Sequence, residues 1–188
     1  VILYIIETST LTKNNMVGKV IFIDIDGPLA WGTWTDGSVK ITEGTQQEFT
    51  IPYSWVKEDC DALAEIIKRT NANLVVSSDW KKHYGIFQLK RIFEHYEIGG
   101  WSVLDTTTHF NPVRKLSSPP EWDRACEIKT WVKSFRPKHW ITIDDMPLNI
   151  SFKRLGIPQW RHVQVDGDFG MGGRLRDKIE ECVNKLNR

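Results

Sequence analysis

The chain is predicted to fold as α/β, a three-layer sandwich on a mainly parallel five-stranded sheet, with a small β-hairpin flap and no large inserted domain. Three observations predict this. Short apolar runs recur at Val20–Asp24, Leu74–Ser77, Trp101–Leu104, Trp140–Ile143 and His162–Val165. Amphipathic helical patterns separate them, and such alternation gives parallel strands covered on both faces. Acids or hydroxyls end four of the five runs: Asp24 and Asp26, Ser77-Ser78-Asp79, Asp144-Asp145, and Asp166. In open α/β sheets chemistry collects at the C-terminal strand ends, so this rim is the candidate site.

The first run, Val20-Ile-Phe-Ile-Asp24-Ile-Asp26-Gly27, is β-branched and apolar, hence a buried strand. Side chains alternate along a strand, so Asp24 and Asp26 should share a face at its tip. Paired carboxylates repel unless a cation joins them. Mg²⁺ with a phosphate would serve; solvated aspartates in an Asx-turn are the other reading of this stretch alone.

Between Gly27 and Val56 the pattern is not helical. Trp31-Gly-Thr-Trp34-Thr-Asp36-Gly37, followed by residues 39–50, reads as a hairpin with Asp36-Gly37 as its turn, giving a flap over residues 31–54. Next, Val56–Arg69 places Cys60, Leu63, Ile66 and Ile67 on one helical face. Lys82–Tyr96 does so with Phe87, Leu89, Ile92, Phe93 and Tyr96. Ser117-Ser118-Pro119-Pro120 breaks the chain before a third helix, Trp122–Phe135. A short helix is expected over Pro147–Leu155 and a closing one over Arg174–Leu186. Residues 167–173 are glycine-rich but lack the Lys-Ser/Thr of a phosphate-binding P-loop, so they read as a connection with Asp166 or Asp168 on the rim.

Size and composition fit one domain. The chain has 188 residues, 40% hydrophobic and 26% charged, with a formal net charge of +1. That balance carries no global polybasic signal for nucleic acid, while leaving room for a local basic groove. The three cysteines, Cys60, Cys126 and Cys182, are widely spaced and form no CxxC pair, which predicts reduced thiols and a cytoplasmic setting. The apolar stretch Val1–Ile6 is too short for a membrane span and lacks a basic flank. Residues 1–15 are expected to be an N-terminal extension and 16–188 the domain, although an added edge strand is the other reading of Val1–Ile6. His83, His95, His139 and His162 have no metal-ligand spacing, and His109 is a loop residue that could border the site.

The strand-end motifs together resemble the haloacid dehalogenase-like (HAD) phosphatases. Phe22-Ile-Asp24-Ile-Asp26-Gly27 is similar to the family's first motif, and Leu74-Val-Val-Ser77-Ser78 to its second. Trp140-Ile-Thr-Ile-Asp144-Asp145 is similar to the acidic fourth. Arg124-Ala-Cys-Glu127-Ile128-Lys-Thr-Trp131-Val132 resembles the RxxEIxxWL pattern of Swiss Army Knife RNA-repair HAD domains, and Ser77-Ser78-Asp79-Trp80-Lys81 their SSxWR segment. The resemblance spans roughly residues 16–165 and implies a Rossmann-like sheet.

It also implies roles. Asp24 would attack phosphorus to form an aspartyl-phosphate, and Asp26 would protonate the leaving oxygen and then activate water. Mg²⁺ would bridge Asp24, the Asp26 carbonyl, an acid of the Asp144-Asp145 pair and the phosphate. Ser77 would donate to a phosphoryl oxygen, with Ser78 its rival. The third-motif cation would be Arg124, with Lys115 next and Lys129 a solvated alternative. Lys81 and Lys82 would be solvated or would contact a second phosphate. One departure is Pro28, which follows the DxDG glycine where many members carry Thr or Val and which offers no N–H to a phosphate.

The spacing leaves no room for a large cap, which implies an open site suited to a bulky substrate, or a flap closing over a nucleotide. Trp31 and Trp34 on the flap are candidates to stack a nucleobase, or else anchor the hairpin. The expected function is a Mg²⁺-dependent phosphomonoesterase acting on a nucleotide or nucleic-acid end, with no membrane role. A protein phosphatase and a catalytically silent binding module are the alternatives.

Overall fold

The computed structural model describes residues 17–31, 39–43, 47–51, 54–108, 118–166 and 173–188. Five parallel strands form the central sheet: β1 (Lys19–Ile23), β6 (Asn73–Val76), β7 (Val103–Thr106), β8 (His139–Asp144) and β9 (His162–Gln164). Their spatial order is β7-β6-β1-β8-β9. Chain order therefore reverses between β1 and β8, and a crevice opens at such a switch point. Ile21 pairs with Leu74 on one side and Ile141 on the other, so β1 is central and its residues are apolar on both faces.

Alternation along β1 divides the core into two layers. Ile21 and Ile23 face a cluster with Leu63 and Ile66 of α1 (Lys57–Thr70), Leu89 and Phe93 of α2 (Ile86–His95), and Cys182 and Leu186 of α5 (Ile179–Leu186). Val20 and Phe22 face Ala125, Ile128 and Trp131 of α3 (Pro120–Phe135) and Phe152 of α4 (Asn149–Arg154). The predicted three-layer α/β sandwich is the observed architecture. Cys60 and Cys182 are buried free thiols, as their helical positions predict. Among the described residues no helix is long and apolar enough to cross a membrane.

Element limits depart from the sequence reading where local signals compete. Trp101 belongs to a 3-10 turn ahead of β7, with its side chain 73% exposed, and not to the strand itself. The second helix starts at Ile86 and not Lys82, because residues Asp79–Lys82 form a separate 3-10 turn capped by Ser78. Pro120 opens α3, where its missing N–H costs no hydrogen bond.

A hairpin lies within the expected flap. β3 (Val39–Glu43) pairs antiparallel with β4 (Gln47–Ile51), and the expected turn at Asp36-Gly37 lies outside the described residues. A second short ladder, β2 (Ala30–Trp31) with β5 (Ser54–Trp55), closes the base of the segment. Phe49 of β4 packs on Tyr84, ring centroids 5.9 Å apart, and the Tyr84 hydroxyl donates to the Thr50 carbonyl. No large cap is inserted among these elements. Trp34 and the expected extension over residues 1–15 lie outside the described residues.

Candidate active site

Asp24 stands one residue past β1, and its N–H donates to Ile143 O over 3.0 Å. The next residue returns to the core: Ile25 is fully buried. A tight turn follows, with the N–H groups of Leu29 and Ala30 both donating to Ile25 O at 3.0 and 2.9 Å. Gly27 has φ +91°, and a Cβ there would lie 2.9 Å from the Asp145 side chain. Only glycine permits both the left-handed backbone and this approach. Pro28 sits in this turn, whose backbone bonds are made by Gly27, Leu29 and Ala30, so its missing N–H leaves the turn intact.

Because β1 ends at Ile23, Asp24 and Asp26 are not successive residues of one strand face. Asp24 is buried, accepting from the N–H of Ile25 at 2.8 Å and from Arg124 Nη1 at 2.9 Å. Asp26 is half-buried and accepts from the Trp80 indole N–H at 2.8 Å. Burial pushes the Asp26 carboxyl up to about 6, with the nearby Asp24 and Asp145 charges adding to the shift and the Trp80 hydrogen bond opposing it.

Arg124 lies in the second turn of α3 and is buried between two acids. Its Nη1 donates to Asp144 Oδ2 at 2.7 Å as well as to Asp24. Burial works against the guanidinium charge, but the Asp24 and Asp144 carboxylates outweigh it and hold the group above its ordinary pKa. Asp144, fully buried, is driven upward by burial with Arg124 opposing, and its Oδ1 accepts the Met146 N–H at 3.0 Å. Asp24, Asp144 and Asp145 present carboxylate oxygens all within 4.8 Å of one another, a group that could hold a metal ion. An all-oxygen, all-anionic donor set fits a hard divalent cation. The Asp26 carboxylate is not part of that group; its expected contact is through the backbone carbonyl.

Ser77 and Ser78 are both buried after β6. The Ser77 hydroxyl has no hydrogen-bond partner among the described residues, while Ser78 Oγ accepts from the Trp80 N–H at 3.5 Å. Lys129 is turned away, donating to Leu155 O at 2.7 Å. Lys82 pairs with Asp79 at the surface. The expectation that Lys81 is solvated or phosphate-bound is not met: its ammonium is buried in an ion pair with Glu127 and donates to Thr107 Oγ1 at 2.8 Å. Lys115, His109, Asp168 and the Trp31 side chain lie outside the described residues.

Two features were not read from sequence: the Trp80 indole on Asp26 and the Lys81–Glu127–Thr107 cluster beneath Arg124. Both join residues distant in the chain. The one available signal was local, the coincidence of an SSxWK segment with an RxxE helix. A separate hollow of about 640 Å³ involves Phe87 and Trp101. Trp101 precedes β7, so this hollow opens toward the N-terminal strand ends, away from the acids.

Comparison with curated proteins and with solved structures returns no match. The family model for the HAD domain in Swiss Army Knife RNA repair proteins matches residues 20–172, most of the chain and every rim acid described above. The chain therefore belongs to this family and is a phosphatase of the HAD superfamily.

Proposed function

We propose that the protein is a Mg²⁺-dependent phosphomonoesterase acting on a phosphorylated nucleic-acid end through an aspartyl-phosphate. The observation that carries this reading is the convergence of Asp24, Arg124 and Asp144 at the sheet switch point, with Arg124 bonded to both acids.

Asp24, Asp144, Asp145 and the Asp26 carbonyl would hold the ion, which when bound supplies positive charge against a dianionic ester. Asp24 attacks phosphorus through a carboxylate oxygen, and the bond to the leaving oxygen breaks. Asp26, fixed by Trp80, gives its proton to that oxygen; with its carboxyl raised to about 6, the neutral form is accessible near neutrality. The resulting Asp26 carboxylate then takes a proton from water, whose hydroxyl attacks phosphorus, releasing phosphate and restoring Asp24. Arg124 neutralises charge on the phosphoryl oxygens as they crowd the trigonal bipyramid. Ser77 donates its unpartnered hydroxyl to one of them, with Ser78 as second donor.

The substrate class rests on the RNA-repair family match and on there being no large cap among the described residues. Trp31 and Trp34 remain candidates for base contact, Lys115 for a second cation, and the cytoplasm is the compartment in which such free thiols persist. The test is turnover of 3′- and 5′-phosphorylated oligonucleotides, p-nitrophenyl phosphate and phosphopeptides, with and without Mg²⁺, for the wild type and Asp24→Asn. Mg²⁺-dependent release of phosphate from oligonucleotides, abolished by Asp24→Asn, is expected. Activity intact in Asp24→Asn would sink the mechanism, and preference for phosphopeptides would sink the substrate class.

A further inference from the structure

A groove of about 420 Å³ lies between the first turn of α3 and α4. Its walls include Pro119, Trp122, Pro147 and Ile150, with Glu121 and Arg154 at its polar positions. It reaches toward the acid rim through Pro147, two residues after Asp145, while Trp122 lies two residues before Arg124 on α3. At 1.5 Å of rise and about 100° of turn per residue, Trp122 sits about 3 Å along the axis from Arg124 and on the other side of α3.

The lining includes exposed apolar side chains. Ile150 is 67% exposed, and Pro119 and Pro147 are also exposed. Trp122 is half-buried, so part of its ring surface remains open. This apolar surface is open for an aromatic ring to pack on. Arg154 is exposed and makes no ion pair or hydrogen bond among the described residues. A tryptophan face beside an uncommitted guanidinium matches the two halves of a nucleotide, its base and its phosphate.

We propose that this groove binds the nucleotide next to the phosphorylated end of a nucleic-acid strand, its base stacked on Trp122 and its internucleotide phosphate on Arg154. This rests on the phosphatase reading above and adds to it a subsite that fixes which esters are held. Glu121 in the same groove is an acceptor for sugar hydroxyls, which favours RNA over DNA, because only RNA offers a 2′-hydroxyl donor.

The experiment compares kcat/KM on a phosphate-ended oligoribonucleotide with kcat/KM on p-nitrophenyl phosphate, which has neither base nor second phosphate. Trp122→Ala and Arg154→Ala should each lower this ratio about tenfold, while Arg91→Ala, an equal charge loss at the distant hollow, leaves it unchanged. Arg154 is exposed, so its variant folds even if Trp122→Ala does not. An unchanged ratio in Arg154→Ala, or an equal fall on a phosphopeptide, overturns the proposal. Should the wild type release no phosphate from any ester, the phosphatase reading fails separately. Fluorescence anisotropy with a labelled oligoribonucleotide then decides: tenfold weaker binding by Arg154→Ala supports the groove, and equal binding overturns it.

Discussion

The Trp80 indole N–H donates to Asp26 Oδ1 over 2.8 Å, joining residues 54 positions apart. Trp80 is itself fixed. Its ring meets Trp55 edge-on at 5.7 Å and Tyr84 at 5.4 Å, and Trp55 stacks flat on Tyr96 at 4.5 Å. An aromatic cluster that also touches the hairpin through Phe49 and Tyr84 therefore sets the orientation of the proposed acid–base group.

Trp80→Phe keeps the apolar body and removes the donor. A hydrogen bond to a carboxylate stabilises its charged form, so losing it moves Asp26 above its value of about 6. With p-nitrophenyl phosphate the leaving group needs no proton, and turnover depends on Asp26 as base. The rising limb of kcat is expected to move to higher pH, and kcat at neutral pH to fall about two- to tenfold with KM little changed. A pH–rate profile at saturating Mg²⁺ checks this; superimposable profiles would refute it.

Removing Arg124 leaves Asp24 and Asp144 facing each other without a cation. Breaking a buried pair on one side costs about 3–5 kcal/mol, so Arg124→Met should melt about 10 °C below the wild type. The three clustered acids remain, and Mg²⁺ restores part of the loss by binding only the folded form. Thermal melts with and without Mg²⁺ measure it. Recovery by Mg²⁺ should be larger in Arg124→Met than in Asp145→Asn, which removes one acid of the group.

Legibility in the sequence followed the range of each interaction. The rim acids were readable because each closes a contiguous apolar run, and parallel topology brings strand ends together without further information. Helix faces were readable for the same reason, as Leu63, Ile66 and Ile67 show. The hairpin was legible as a non-helical segment between Gly27 and Val56, but the β3–β4 register comes only from cross-strand pairing, which no local signal carries. Trp101 looked like a strand residue because apolarity alone does not distinguish an exposed ring beside an edge strand from a buried one. The Trp80–Asp26 bond and the burial of Lys81 arise only when β6 is set beside β1 and α3 is laid over them.

The Lys81–Glu127 pair is buried on both sides, with side chains 4% and 9% exposed. Burial lowers the Lys81 pKa, and the Glu127 hydrogen bond opposes the shift. Lys81→Met leaves the buried Glu127 carboxylate without its cation and is expected to cost about 3–5 kcal/mol. Lys81→Met with Glu127→Leu removes both charges and should cost far less than the sum of the single variants. Urea denaturation of the four proteins gives the coupling energy; additive losses would show that the two groups do not depend on each other.

His162 gives the stability a pH dependence of its own. It is 5% exposed and lies edge-on to Phe152 at 6.1 Å. Burial pushes its imidazole from 6.5 down to about 4, with the Lys185 charge adding to the shift. The folded value is depressed, so between pH 6.5 and 4 the unfolded chain binds the extra proton. The stabilisation is complete above pH 6.5 and shrinks as pH falls toward 4. At 1.36 kcal/mol per pKa unit this amounts to about 3 kcal/mol over the full window. Comparing His162→Phe with the wild type by urea denaturation at pH 7 and pH 4.5 isolates the effect from the carboxylates, which titrate in both proteins. The variant should lose about 2–3 kcal/mol less between the two pH values; parallel losses would mean that His162 is protonated as readily in the fold as outside it.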